Sequence, residues 1–345
     1  MSQQCDELRY REVSALLASD AEVRDYFGTS AAVAGNRLVV GASCQDSPAS
    51  SAGKVYIYDW NGSAYIEVAQ LTASDAAAGD FFGRSVSLSG NRLVVGADGK
   101  ATGGLNAGKV YVYDWNGTAY DEVAQLTASD VRTYDYFGMS IALSGNRLVV
   151  GAYGETSAGI AAGKVYAYDW NGSAYDEVAQ LTASDAHAWF GISIALSGNS
   201  SRLVVGAHAE DTAGVNAGKV YVYDWNGNTS VYDEALQLTA SDAEADVQFG
   251  SAVSLSGNRL VVGACGESTA GVAAGKVYVY NWNGVTSVYD EVTTITASDA
   301  EVNDWFGRSI TADGDRLVVG ACGDDTVATD AGKVYIYDWN GTEEQ

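Results

Sequence analysis

Aspartates recur in pairs along this chain: Asp20/Asp25, Asp75/Asp80, Asp130/Asp135, Asp242/Asp246 and Asp299/Asp304, in segments of the form SDAxxxDxFG, with Val131 replacing the alanine in the Asp130/Asp135 copy. In the Asp242/Asp246 copy the second aspartate comes one residue early, because that segment reads SDAEADVQFG. Two carboxylates so spaced in a loop could contribute to a hard-cation site, calcium being the candidate, together with backbone carbonyls and water. The same residues also cap turns by accepting backbone N–H bonds. Both readings stand at this level. A further copy, SDAHAWFG, is two residues shorter and lacks the second aspartate. It holds His187, and the only other histidine, His208, falls in a nearby loop beside Glu210 and Asp211. With Asp185 these groups have the chemistry of a small metal or acid–base site. No nucleophile elbow, zinc-protease, phosphate-loop or dinucleotide motif occurs in its proper context, so the chain is expected not to be an enzyme.

The elements that must position these residues repeat about every 55 residues. The text GKVY begins at Gly53, Gly108, Gly163, Gly218, Gly275 and Gly332, and Phe-Gly recurs at Phe27, Phe82, Phe137, Phe190, Phe249 and Phe306. A period this regular marks a repeat architecture. Within one copy, FGRSVSLSG alternates with the period of a strand, and Ser89-Gly90-Asn91 is turn chemistry. RLVVGA follows as a short apolar strand, then a glycine-rich loop, then the alternating GKVYVYDW. Asn116-Gly117 signals a hairpin into a fourth strand, AYDEVAQLTAS. Four antiparallel strands per copy leave two apolar faces, which radial stacking of sheets buries. The expected fold is therefore all-β: a six-bladed β-propeller forming one domain over 1–345. The N-terminal strand, about 8–18, matches the fourth strand and is expected to complete the sixth blade and close the ring.

Alternation also sorts the loops into two faces. On one lie the turns after the first and third strands, SGNR and DWNG, nearly identical in every copy. The tryptophans Trp60, Trp115, Trp170, Trp225, Trp282 and Trp339 sit in that corner. Packing is the expected role, with sugar stacking the competing one. On the other face lie the aspartate loops and the loops between the second and third strands, which diverge. Right after Gly-Ala stand Ser43, Asp98, Tyr153, His208, Cys265 and Cys322. Variable loops on a uniform scaffold are where binding sites are usually carried. The candidate ligand-binding residues are Asp98, Tyr153, His187, His208, Glu210 and Asp211.

Composition narrows the partners. A formal charge of −25 argues against nucleic acid and against anionic membrane surfaces. Membrane insertion is not expected, as no apolar run is long enough to span. The N-terminus, MSQQCDELRYREV, does not resemble a signal peptide. Four cysteines make no disulfide framework, and all are expected as free thiols.

The motifs FGxSxAxSG, LVVGA and GKVYxYDWNG, in six ordered copies, resemble the FG-GAP repeat family, the repeat of the integrin α-subunit propeller. The resemblance implies a propeller with an adhesion-type binding role and favours an extracellular or cell-surface setting. The chain departs from the family in three ways. The GAP triplet has lost its proline, the copies number six rather than seven, and the family's calcium loop is replaced by a tight turn. SGNR cannot wrap an ion that takes about six to eight oxygen ligands, so those calcium sites are not carried over. The expected function is non-enzymatic binding of a protein or glycan at the variable acidic face. A multivalent lectin with equivalent pockets between blades, a structural scaffold, and a hydrolase at the channel mouth near His187 and His208 are the alternatives.

Overall fold

The computed structural model describes residues 18–20, 22, 24–159, 161–183, 188–314, 316–325 and 333–338. Every element in it is a β-strand. The second sheet is representative: Ser85–Ser89, Arg92–Ala97, Lys109–Trp115 and Tyr120–Leu126, paired in sequence order and antiparallel. Five sheets of this kind follow one another, and the last, from Phe306 to Asp338, has three strands. Six four-stranded blades were expected; the structure corrects this to five four-stranded blades and one three-stranded sheet. The strand expected over about 8–18 lies outside the described residues except for Ala18.

The first strand of each sheet packs on the first strand of the next, which places these strands innermost and makes the array a β-propeller. The apolar core lies between blades. Val39, Val55 and Ile57 of the first sheet, for example, form one cluster with Phe82, Leu93, Val95 and Tyr111 of the second. Burial on both faces explains why LVV and VYVY run without polar interruption.

The Phe-Gly and Gly-Ala texts are explained at the same place. Phe137 is fully buried and meets Tyr166 edge-on at 5.4 Å. Gly138 lets its sheet approach the preceding one so closely that a Cβ added at Gly96 would lie 2.0 Å from the Gly138 carbonyl oxygen. The Ser85 hydroxyl donates to that same oxygen at 2.6 Å. Glycine is required at position 96 by contact rather than by backbone angle.

Candidate functional site

The first aspartate of each pair holds its own loop to the sheet that follows. Asp20 accepts hydrogen bonds from Lys54 Nζ and the Tyr56 hydroxyl, both at 2.6 Å. Asp75 does the same with Lys109 and Tyr111, Asp130 with Lys164 and Tyr166, Asp242 with Lys276 and Tyr278, and Asp299 with Lys333 and Tyr335. Burial opposes ionisation of Asp75, but the bonds from Lys109 and Tyr111 outweigh it and hold its carboxyl at about 2. The lysine and tyrosine of GKVY are thus committed to these carboxylates.

The second aspartate turns inward. Asp25, Asp80, Asp135 and Asp304 are buried, and each accepts the backbone N–H of the residue three earlier, at 2.6–2.7 Å. Asp80 also takes a 2.8 Å bond from the buried Lys100 ammonium, which reaches the Asp75 carbonyl as well. Burial pushes the Asp135 carboxyl up to about 6 against the Arg132 backbone N–H, and the charges of Glu155 and Asp130 add to the rise. Asp246 does not share this position. Its backbone φ is +63° and its side chain accepts from Asn216 at the surface, while Val247 takes the buried place. Ala188 takes it in the shortened loop. The register is plain from the backbone, since Asp135, Ala188 and Val247 all accept a bond from the loop after Gly-Ala in their own sheet. Among the described residues, no group of three or more His, Cys, Asp or Glu is arranged to hold a metal ion.

Asp98, Tyr153 and His208 stand at one register in successive sheets, just past the second strand. Around them runs a row of rings. Tyr134 and Tyr136 are 6.3 Å apart, Tyr136 stacks on Tyr153 at 5.0 Å and 14°, Tyr153 meets Trp189 at 5.6 Å, and Trp189 meets His208 at 5.1 Å. Tyr134 is 49% exposed and Trp189 39%. Burial drives the His208 imidazole down to about 4, with the Arg308 charge adding, so it is neutral at pH 7. Burial raises the Asp98 carboxyl to about 6 against the pull of Arg84, whose Nε lies 4.0 Å away. Tyr153 is pushed up to about 12 by burial and by the Tyr136 and Asp98 charges.

The other expected members do not join this group. Glu210 accepts the Thr212 backbone N–H and pairs with Lys219 at 3.2 Å, and Asp211 accepts the Asn216 N–H. Both carboxylates bind within their own sheet. His187 and Asp185 lie outside the described residues, as does Cys5. Cys44, Cys265 and Cys322 are not in disulfides. Reading the sequence missed Tyr134, Tyr136, Trp189 and Arg84. The usable signal was the residue before Phe-Gly, which is Tyr26, Phe81, Tyr136, Trp189, Gln248 or Trp305. Each has φ between 51° and 59°, so the repeat's own backbone sets the direction of this side chain, an aromatic ring in every copy but that of Gln248.

The opposite face is occupied by its own packing. Arg92 makes a two-pronged bond to Asp114, 2.7 Å on each arm, and lays its guanidinium 4.0 Å from the Trp170 ring of the next sheet. Arg37 over Trp115, Arg147 over Trp225 and Arg202 over Trp282 repeat the arrangement at 3.5–3.9 Å. One face of each of these tryptophans is therefore covered. Open grooves of about 370 and about 560 Å³ flank the longer turn of the fourth sheet, between Trp170, Trp225 and Trp282.

With this geometry in view, the FG-GAP repeat matches residues 10–58, 61–113, 120–168, 175–223, 232–280 and 289–337. The chain belongs to the FG-GAP repeat family. A crystal structure of a protein from Lactobacillus plantarum has a similar fold, with a TM-score of 0.59 at 14% identity over 90% of this chain and 81% of that one. At that identity the likeness concerns the fold alone. No curated protein matches the chain. In the second sheet of this FG-GAP protein the turn between first and second strands closes on a Ser89–Arg92 pair, too tight for a loop that wraps an ion, whereas the fourth sheet's longer turn closes on Leu196–Leu203.

Proposed function

We propose that this FG-GAP propeller is a non-enzymatic binding module that engages a protein or glycan through the face carrying the aspartate loops and the loops after Gly-Ala. The observation that carries this reading is the exposed apolar decoration of that face. Tyr26, Leu105, Tyr134, Trp189, Val215, Val272, Val302 and Trp305 are large apolar side chains left 39–65% exposed. Exposed valines and an isoleucine occur elsewhere too, but among the described residues the exposed aromatics, Tyr26, Tyr134, Trp189 and Trp305, all lie on this face. Exposed apolar patches mark interaction surfaces. The rim beneath them is rigid: the Leu105, Val215 and Val272 carbonyls accept the N–H groups of Tyr134, Asp246 and Asn303 in the next sheet. Covered tryptophan faces on the opposite side speak against equivalent sugar pockets there. His208, kept neutral and packed on Trp189, has no carboxylate partner among its described contacts, which disfavours the hydrolase alternative.

The test is a panel holding immobilised oligosaccharides and a phage-displayed random peptide library. It is probed with the protein, a loop-face variant (Tyr134→Ala with Val215→Ser) and a turn-face variant (Val285→Ser). Retention lost only in the loop-face variant is the expected result. Loss only in the turn-face variant, or retention by neither class of ligand, overturns the proposal.

A further inference from the structure

The ring row across the third and fourth sheets differs from the rest of the loop face in its chemistry. Stacked and tilted rings follow one another from Tyr136 through Tyr153 to Trp189, at separations of 5.0 and 5.6 Å. At either end of this row a polar group stands at the register of Tyr153. Asp98 and His208 are each more than nine-tenths buried, and Asp98 Oδ1 and His208 Nδ1 have no hydrogen-bond partner. A buried polar atom left unpartnered costs about 1–3 kcal/mol, so a structure that keeps two beside exposed rings invites a ligand or ordered water to satisfy them. Their covers are movable: Trp189 is 39% exposed and the Arg84 side chain 38%.

We infer that this shelf binds a neutral saccharide, with a sugar face on Trp189 and hydroxyls hydrogen-bonded by Asp98, Arg84 and His208. The inference rests on the binding reading above and names its ligand. Three features select the class. Trp189, 39% exposed and backed by the stacked pair Tyr136 and Tyr153, offers a ring face to the apolar face of a pyranose unit. A carboxylate, a guanidinium and a neutral imidazole together offer the mixed donors and acceptors that vicinal hydroxyls require. An anionic ligand meets the opposite conditions: Arg84 already faces Asp98 at 4.0 Å, and the whole chain carries a formal charge of −25. An unsealed shelf suits a chain lying across it rather than a small molecule enclosed by it.

Saturation-transfer difference NMR with cellotetraose, mannotetraose and galactotetraose tests the inference, with tetragalacturonate as the anionic control. At least one neutral tetrasaccharide is expected to show transfer to ring protons. Transfer should fall about tenfold in Trp189→Ala and in Asp98→Asn, while Val285→Ser leaves it unchanged and circular dichroism confirms that each variant is folded. Should Trp189→Ala fail to fold, Arg84→Ala gives the same comparison with an exposed side chain. No transfer to any neutral tetrasaccharide, transfer indifferent to these variants, or preference for tetragalacturonate overturns the inference. Peptides retained through the loop face without any saccharide signal would overturn it alone and leave the binding-module reading standing.

Discussion

The two faces of this propeller are made from the same six repeats but use their polar residues in opposite ways. On the turn face, Arg37, Arg92, Arg147 and Arg202 each join an aspartate of their own sheet to a tryptophan of the next. These contacts recur almost unchanged because each must serve the same joint between blades. On the loop face one tier recurs, the aspartate that holds Lys and Tyr, and the tier above it varies. The position after Gly-Ala carries a carboxylate, a phenol or an imidazole in successive sheets. Uniformity follows where every joint between blades makes the same contact, and variety becomes possible where neighbouring loops vary together, as Tyr153 and Trp189 of successive sheets do.

That contrast can be broken first at the joint beneath both faces. Gly151→Ala would put a Cβ 2.2 Å from the Gly191 carbonyl oxygen. Urea unfolding is expected to show a loss of about 3 kcal/mol or more, or no folded protein at all. A stability within about 0.5 kcal/mol of the parent would mean that the blades can part at no cost and that contact does not enforce the repeat.

Arg147→Ala sharpens the difference between faces. It removes a two-pronged bond to Asp169 and a guanidinium 3.5 Å from the Trp225 ring. A loss of about 2 kcal/mol is expected by the same assay, discounted because Asp169 is partly exposed. Arg84→Ala, on the loop face, is expected to stay within about 0.5 kcal/mol. Equal losses would erase the distinction.

Acid titration separates the two tiers of the loop face. Asp98, raised to about 6 in the fold, holds its proton between the unfolded value near 4 and its folded value. Over that window the folded state binds more protons than the unfolded one, so stability falls as pH rises and levels off above about 6. Asp98→Asn should flatten this decline, worth about 2 kcal/mol, in melts from pH 4 to 7. Asp75 has the opposite sign. Its carboxyl is held at about 2, so its contribution is present above about pH 4 and is lost as pH falls toward 2. Solvent screens that term to a fraction of a kcal/mol. The smallest effect belongs to the rim: Val215→Ser with Val272→Ser is expected to shift stability by less than about 0.5 kcal/mol. A larger loss would make the rim part of the fold rather than a free surface.

Strand texts, turn positions and the division into a uniform and a varied face were legible in the sequence, because alternation and Gly-Asn chemistry act locally. Asp246 shows where that reading stops. Its spacing to Asp242 resembles the other pairs, yet Val247 holds the inward place and Asp246 faces solvent beside Asn216. The count backward from Phe-Gly decides the position, and the count forward from Ser-Asp does not. Lys100 is a second case: nothing in its text says that its ammonium sits against Asp80 and the Asp75 carbonyl.

The chain's own text determined that it is an all-β repeat protein whose sheets cannot stand alone, since a period of two with apolar residues on both sides leaves no face for water. Only the tertiary structure decided that five sheets have four strands and the sixth has three among the described residues. It also decided that Tyr136, Tyr153, Trp189 and His208, scattered over 73 positions, form one row of rings. The reason is physical: strand formation depends on neighbours in sequence, whereas the row exists because radial stacking brings the same register of successive blades side by side.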